Sequence, residues 1–180
     1  MSLSPDWIVG FTDGEGCFKF NIQEQRNSHM GFFISPCFEI QLHEGDVAVL
    51  KKVLESLKIG IIERHNRKSL RARGIKASDM AVYYVNGLPK CLILRDFFNK
   101  HPLVSKKKED FAIWSTCLDM MKRDQHRKVH GFLEIVKLRD QMNLAGKQRS
   151  ITCKRYRNYE WFREKLLGKN HLTLEVPTES

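Results

Sequence analysis

Apolar residues recur with two different periods along the chain, and the changes between these periods predict the order of its elements. From Phe38 to His43 apolar and polar residues alternate, which is typical of a strand with one buried face. From Val47 to Leu57 the apolar residues recur every three or four positions, which indicates an amphipathic helix. Over the first hundred residues, the same patterns predict strands at 17–25, 31–43, 60–65 and 80–85, and helices beginning near Pro5, Val47 and Leu88.

The predicted order up to Phe98 is therefore helix, two strands, helix, two strands, helix. This order is typical of an α+β domain in which helices pack on one face of an antiparallel sheet. Apolar residues at helical spacing predict three further helices, around Trp114, Phe132 and Phe162. We expect a single domain with a core of about residues 4–122, a basic helical extension of about 123–168 and a loose tail of 169–180.

The charge balance favours a polyanionic partner. The 180 residues include 31 Lys and Arg against 21 Asp and Glu, a net charge of +10, which suits nucleic acid first and an acidic membrane surface second. No apolar run is long enough to span a membrane, and no secretion signal is recognisable. The five cysteines are widely spread without a C-x-x-C pair, so we expect reduced thiols, no zinc site and an intracellular location.

The predicted sheet leaves one face to solvent or to a ligand, and its candidate residues are polar and basic. Long polar side chains can reach base edges in a DNA groove, while Lys and Arg neutralise phosphates. A face that is merely solvated is the alternative interpretation, and the residues alone leave both open. The candidates for DNA contact are Lys19, Asn21, Gln23, Glu39, Gln41, Arg64, Asn66, Lys68, Arg71 and Arg73.

The segment WIVGFTDGEGCF, from Trp7 to Phe18, is locally inconsistent. It begins as an apolar helix but ends on Asp13 and Glu15 interleaved with glycines. Asp and Gly are poor helix residues, and the negative end of the helix dipole repels carboxylates. Such inconsistencies tend to mark functional sites.

The nine residues from Ile8 to Gly16, followed by Cys17 and Phe18, resemble the LAGLIDADG motif of homing endonucleases, in the form found in intron-encoded members. Further segments resemble the second strand with its helix (FEIQLHEGD, LKIG) and the start of the last core helix (HPLVSKKKEDF) of that family. The resemblance implies an αββαββα fold with a saddle-shaped antiparallel sheet. It also implies a site-specific double-strand DNA endonuclease.

The family resemblance also implies roles for the motif residues. Two such helices pack side by side across an interface, and the second acid of each motif binds a divalent metal. Glu15 is therefore the expected metal ligand, with the Gly14 carbonyl as an additional one, and Mg²⁺ suits these oxygen donors. Because the motif occurs once, a homodimer on a pseudo-palindromic site is expected. The residues expected at the dimer interface are Trp7, Gly10, Phe11, Asp13 and Gly14, with Asp13 as a structural hydrogen-bonding group.

Two further catalytic candidates follow from the resemblance. Lys106 is the expected cation near the reacting phosphate, with the register open among the adjacent Lys107 and Lys108. The position of the family's water-orienting glutamine aligns with Leu42, so the neighbouring Gln41 is the candidate for that role. Two other functions remain: an RNA-splicing maturase, for which RNA is the partner, and a non-catalytic DNA-binding regulator. A carboxylate at Glu15 facing phosphate favours the nuclease.

Overall fold

Four antiparallel strands form one sheet in the order β1–β2–β4–β3. The computed structural model describes residues 2–142 and 157–168. The strands are β1 (Gly16–Glu24), β2 (Phe32–His43), β3 (Ile61–His65) and β4 (Met80–Asn86). Phe38 pairs with Phe18 on one side and with Val85 on the other. Since directly paired side chains lie on the same face, these residues define the apolar face of the sheet.

The helices pack on that apolar face, and their order confirms the predicted αββαββα arrangement. They are α1 (Pro5–Glu15), α2 (Val47–Leu57), α3 (Lys68–Ala72), α4 (Leu88–Lys100), α5 (Lys107–Lys122), α6 (Val129–Arg139) and α7 (Tyr159–Leu167). Short 3₁₀ turns lie at Glu44–Asp46 and Gln125–Arg127. The sequence pattern did not predict α3, which lies between β3 and β4. No helix of the described ranges is long and apolar enough to cross a membrane.

An aromatic cluster joins the sheet to the helices. The Phe18 ring lies 5.0 Å from Phe38, 5.7 Å from Phe98 and 5.1 Å from Trp114, measured between centroids. These four side chains are fully buried. Because Phe18 follows α1 by three residues, this cluster fixes the end of α1 against the sheet.

The two C-terminal helices pack against the outer end of the β1–β2 hairpin. Phe32, at the start of β2, has its ring centroid 6.0 Å from Phe132 of α6 and 5.1 Å from Phe162 of α7. Arg157 pairs with Glu24 at 2.6 Å, and its guanidinium lies 4.3 Å from the Trp161 ring centroid. The helices predicted in the basic extension are thus present, while the predicted tail of 169–180 lies outside the described residues.

Candidate functional site

The face of the sheet away from the helices carries most of the predicted polar set. Lys19 pairs with Cys37 in β2, and Glu39 pairs with Tyr84 in β4, so their side chains share one face. Alternation along the strands adds Asn21, Gln23 and Gln41. We call this surface the open face. These five predicted residues lie on it, as expected.

Side chains on the open face hydrogen-bond to one another across strands. The pairs are Lys19 Nζ with Glu39 Oε2 at 2.5 Å, Asn21 Nδ2 with Tyr84 Oη at 2.5 Å, and Ser35 Oγ with Asn86 Oδ1 at 2.8 Å. Each pair holds two long or polar side chains in fixed orientations before any ligand is present. The open face is therefore a preorganised polar surface.

The thiol of Cys37, on the open face, is not activated as a nucleophile. Cys37 is fully buried beneath this surface. Burial raises the pKa of its thiol to about 12, so it is neutral at physiological pH. Cys17, Cys37, Cys91 and Cys117 are free thiols, and Cys153 lies outside the described residues.

The prediction that Arg64 lies on the open face is wrong. Arg64 pairs with Ala81, whose side chain is buried in the core, so Arg64 lies on the helix side of the sheet edge. Its Nε lies 3.1 Å from Oε1 of Glu44. The open-face residues of β3 are instead Ile61, Glu63 and His65.

The remaining basic candidates lie in the β3–β4 connection rather than on strands. Asn66 accepts a hydrogen bond from the backbone of Lys68 at the start of α3, at 2.8 Å. Arg71 donates to both carboxylate oxygens of Asp79, at 2.8 and 3.3 Å, and to the carbonyl of Ala77. Its hydrogen bonds lower the pKa of the Asp79 carboxyl. Arg71 therefore holds the connection together.

Exposed cations remain in the same connection. Lys68 and Arg73 are both exposed, at the start of α3 and directly after its end. In contrast to Arg71, they carry no ion pair or side-chain hydrogen bond within the described ranges. Their charges are consequently available to a polyanion.

The end of α1 presents the paired acids of the motif. The backbone N–H of Gly16 bonds to the Thr12 carbonyl and ends the helix. A Cβ at Gly16 would lie 2.7 Å from Thr12 Cγ2, so the turn into β1 requires glycine. Gly14 and Glu15 are exposed, and no residue of the described ranges donates to or pairs with the Glu15 carboxylate. The carboxylate oxygens of Glu15 are therefore accessible from solvent.

Asp13 has a different environment from Glu15. Its carboxylate accepts hydrogen bonds from the backbone N–H of Val104 at 2.9 Å and of Ser105 at 3.2 Å, and from the Ser105 hydroxyl at 2.7 Å. Burial raises the pKa of Asp13, but these hydrogen bonds and the charge of Lys107 outweigh it, so the net pKa is lowered. The hydrogen bonding expected of Asp13 is thus directed to its own chain. It joins α1 to the segment before α5.

Of the three adjacent lysines, Lys107 is the one that reaches the end of α1. Its Nζ donates to the Gly16 carbonyl, and its backbone N–H donates to Ser105 Oγ at 3.1 Å. Lys107 is half-buried, whereas Lys106 and Lys108 are exposed. The geometry therefore favours Lys107 over the predicted Lys106 as the cation of this site.

Gln41, the candidate for orienting water, and its neighbour Leu42 lie on opposite faces of the sheet. Gln41 pairs with Val82 and lies on the open face, whereas Leu42 pairs with Ala81 and lies on the helix side. Gln41 is half-buried and remains a prediction.

One side of α1 is left uncovered by the described chain. Trp7, Gly10, Phe11 and Gly14 recur at helical spacing, and the Trp7 ring stacks on Phe11 with centroids 4.7 Å apart. Trp7 is 41 % exposed, and a Cβ on Gly10 or Gly14 would meet no atom of the described residues within 4 Å. This stripe combines exposed aromatic surface with glycines that allow close approach of another backbone.

The donor set at the end of α1 fits a hard divalent cation only in part. Glu15 and the Gly14 carbonyl supply oxygen ligands, which Mg²⁺ accepts while keeping several waters and phosphate oxygens. Within residues 2–142 and 157–168, no cluster of three or more His, Cys, Asp or Glu could hold a metal. At the end of α1, the described chain thus offers the carboxylate of Glu15 and the Gly14 carbonyl, and a bound cation would need further ligands.

Curated proteins resemble this chain in sequence. The chain is 28 % identical to the probable intron-encoded endonuclease 2 of Neurospora crassa over 142 residues, which are 78 % of this chain and 29 % of that protein. It spans about a quarter of the length of the curated relatives it matches.

Solved structures share the fold of this chain. The crystal structure of the homing endonuclease I-TnaI matches with a TM-score of 0.73 and 28 % identity, covering 93 % of this chain and 98 % of that one. The I-LtrWI LAGLIDADG homing endonuclease, bound to its target DNA, matches with a TM-score of 0.69 and 26 % identity, covering 79 % of this chain and 45 % of that one. The family model described as LAGLIDADG endonuclease matches residues 8–118, and the chain belongs to this family.

Proposed function

We propose that the chain is a site-specific endonuclease that hydrolyses phosphodiesters of double-stranded DNA as a homodimer with a divalent cation such as Mg²⁺. The observation that carries the proposal is the exposed Glu15 carboxylate beside the inward-directed Lys107 at the end of α1. An unpaired carboxylate is unfavourable at a helix C-terminus and would repel DNA unless it bound a metal. Membership of the LAGLIDADG endonuclease family supports the same activity.

The uncovered stripe of α1 supports the homodimer. A twofold axis beside this helix would pack Trp7 and Phe11 against their copies, and Gly10 and Gly14 would let the backbones approach. The same axis would place two Glu15 carboxylates near each other, supplying the second acid that one chain lacks. A twofold dimer recognises a pseudo-palindromic site, because half-site symmetry mirrors protein symmetry.

The residues at the end of α1 have different roles in the proposed reaction. Glu15 and the Gly14 carbonyl would hold the cation, which when bound supplies charge stabilisation and activation of water. The Lys107 ammonium lies at the Gly16 carbonyl, where it can approach the negative charge that develops on the phosphoryl oxygens. Asp13 keeps the Lys107 segment in place through Ser105.

The open face supports DNA recognition. Its polar side chains can read base edges, while Lys68 and Arg73 in the β3–β4 connection can contact phosphates. A duplex lying across the sheet would pass over the end of α1, because Gly16 directly follows this helix and begins β1. A DNA substrate places the protein inside a cell, in a compartment that contains DNA.

A cleavage assay on a randomised duplex library tests this proposal, with Mg²⁺ and with EDTA. We expect specific cleavage in Mg²⁺ alone, and a loss of several orders of magnitude in Glu15→Gln with retained DNA binding. Glu55→Gln removes an exposed acid of α2 and is the matched control that should cleave normally. Normal cleavage by Glu15→Gln would place the chemistry elsewhere. Binding of DNA or RNA without cleavage by the unaltered protein would favour the regulator or the maturase.

A further inference from the structure

Two exposed apolar side chains interrupt the open face. Phe33 pairs with Gln23 and Ile61 pairs with Tyr84, which places both on this face. Phe33 is 50 % exposed and Ile61 is 48 % exposed, whereas Val82 on the same face is 5 % exposed. Within the described chain, neither Phe33 nor Ile61 packs against the core.

These two positions stand out because their strand neighbours obey the alternation. Phe32 and Ile34 on either side of Phe33 are buried on the helix side, so Phe33 contributes nothing to that core. A polar residue would be better solvated at either position and would leave the packing unchanged. The apolar side chains therefore favour an apolar ligand surface opposite them.

We propose that Phe33 and Ile61 each contact the methyl group of a thymine in the major groove and thereby specify thymine at one position of each half-site. This inference rests on the proposed function, since it assumes that DNA lies on the open face. Among the groups that base pairs present in the major groove, the thymine C5-methyl is the apolar one, while the others are hydrogen-bond donors and acceptors. Exposed Phe and Ile side chains match that methyl group and have no hydrogen bond to offer.

The strand register places the two contacts at different distances from the end of α1. Ile40 pairs with Gly16, directly after α1, and Phe33 precedes Ile40 by seven residues. At about 3.3 Å per residue, Phe33 lies roughly 23 Å along the strand from this end, or about seven base pairs at 3.4 Å each. Ile61 is level with Glu39 through their common partner Tyr84, close to the same end. Phe33 thus reads the outer part of a half-site and Ile61 the inner part.

Binding selections with paired variants test the inference. Phe33→Ser should remove a thymine preference from the outer half-site, and Ile61→Ser should remove one from the inner half-site. Each variant is the control for the other, and both sites are exposed, so folding should be retained. Phe33→Leu and Ile61→Val keep an apolar contact and should retain the preference.

Replacing thymidine by deoxyuridine measures the contribution of the methyl group alone, because it removes this group and keeps the hydrogen-bonding groups. With deoxyuridine at the outer position of one half-site, the unaltered protein should bind the duplex about fourfold more weakly, the value for one buried methyl-sized group. Phe33→Ser should bind the two duplexes equally. Ile61→Ser should keep the full difference there.

The outcomes separate this inference from the proposed function. A thymine preference that survives in the serine variants, or a deoxyuridine effect that persists in Phe33→Ser, would overturn the methyl contacts while leaving the endonuclease intact. Specific binding with no thymine preference at these positions would do the same. If the unaltered protein binds no duplex, the proposed function and the methyl contacts both fail.

Discussion

Asp13 is expected to stabilise the fold and to position Lys107, the proposed active-site cation, and Asp13→Asn separates this role from metal binding. The carboxylate accepts three hydrogen bonds, from the backbone N–H groups of Val104 and Ser105 and from the Ser105 hydroxyl. An asparagine keeps one oxygen acceptor and places an NH₂ group against the remaining donors. The substitution is therefore nearly isosteric but breaks part of this connection.

The expected loss of stability follows from these contacts. Losing a carboxylate that caps backbone N–H groups typically costs about 1–2 kcal/mol, comparable to the removal of a helix cap. For a chain of this size, the melting temperature should fall by about 3–6 °C. Because Ser105 also accepts a hydrogen bond from Lys107, a shift of this segment displaces the lysine, and a misplacement of about 1 Å can cost ~10²-fold in rate.

The effect should depend on pH with a defined sign. The pKa of Asp13 is lowered in the folded protein, so its contribution is present above the unfolded pKa and is lost as pH falls through the folded pKa. The difference in melting temperature between Asp13→Asn and the unaltered protein should therefore be constant near neutral pH. It should shrink below about pH 4, where aspartate begins to protonate.

Thermal denaturation, single-turnover cleavage and a Mg²⁺ titration together check this prediction. Asp46→Asn is the matched control, because Asp46 is exposed and its side chain makes no capping hydrogen bond. Ser105→Ala should reproduce much of the loss, and the double variant should be less than additive. The reasoning is refuted if Asp13→Asn melts and cleaves like the control. It is also refuted if Asp13→Asn changes the Mg²⁺ concentration needed for cleavage without lowering the melting temperature.

Three further substitutions test the site and its assembly. Lys107→Met should slow single-turnover cleavage by about 10²–10³-fold, whereas Lys106→Met should remain near the unaltered rate, and equal effects would contradict the assignment. Gly10→Leu should fold, since a side chain at this position meets open space, but the variant should sediment as a monomer. An intact dimer would show that this face of α1 is not the dimer interface. Arg71→Ala should raise the protease sensitivity of the β3–β4 connection. Arg73→Ala should leave that sensitivity unchanged and reduce the salt slope of DNA binding by about two, roughly one for each protomer of the proposed dimer. The opposite pattern would make Arg71 the phosphate contact.

The elements that the sequence predicted are those with a sustained hydrophobic period. Strands β1, β2 and β4, and the helices from α1 to α7 apart from α3, each bury an apolar face, which appears in the sequence as a period of two or 3.6 residues. Strand β3 was also predicted, although none of its side chains is fully buried. The motif at the end of α1 was equally recognisable, because acids and glycines at a helix end conflict with local propensity.

The errors arose where tertiary contacts decide the structure. The short helix α3 has one partly buried apolar residue, Leu70, and is supported by the bond from Arg71 to Asp79, eight residues away. In β3 both Ile61 and Ile62 are apolar, so alternation could not show on which face Arg64 lies. Among three consecutive lysines, successive side chains rotate by about 100° where the helix begins, and only the packed position of α5 selects Lys107.

The cross-strand hydrogen bonds of the open face have a consequence for altering the target sequence by protein engineering. Lys19 and Glu39 neutralise each other, so replacing one of them leaves an unpaired charge. If DNA lies on the open face as proposed, that charge should change DNA affinity at every sequence. Asn21 and Tyr84 are joined in the same way. Mutant libraries that vary these positions two at a time should therefore yield new specificities that single-site libraries miss. Phe33 and Ile61, which have no such partner in the described chain, are the positions that can be exchanged independently.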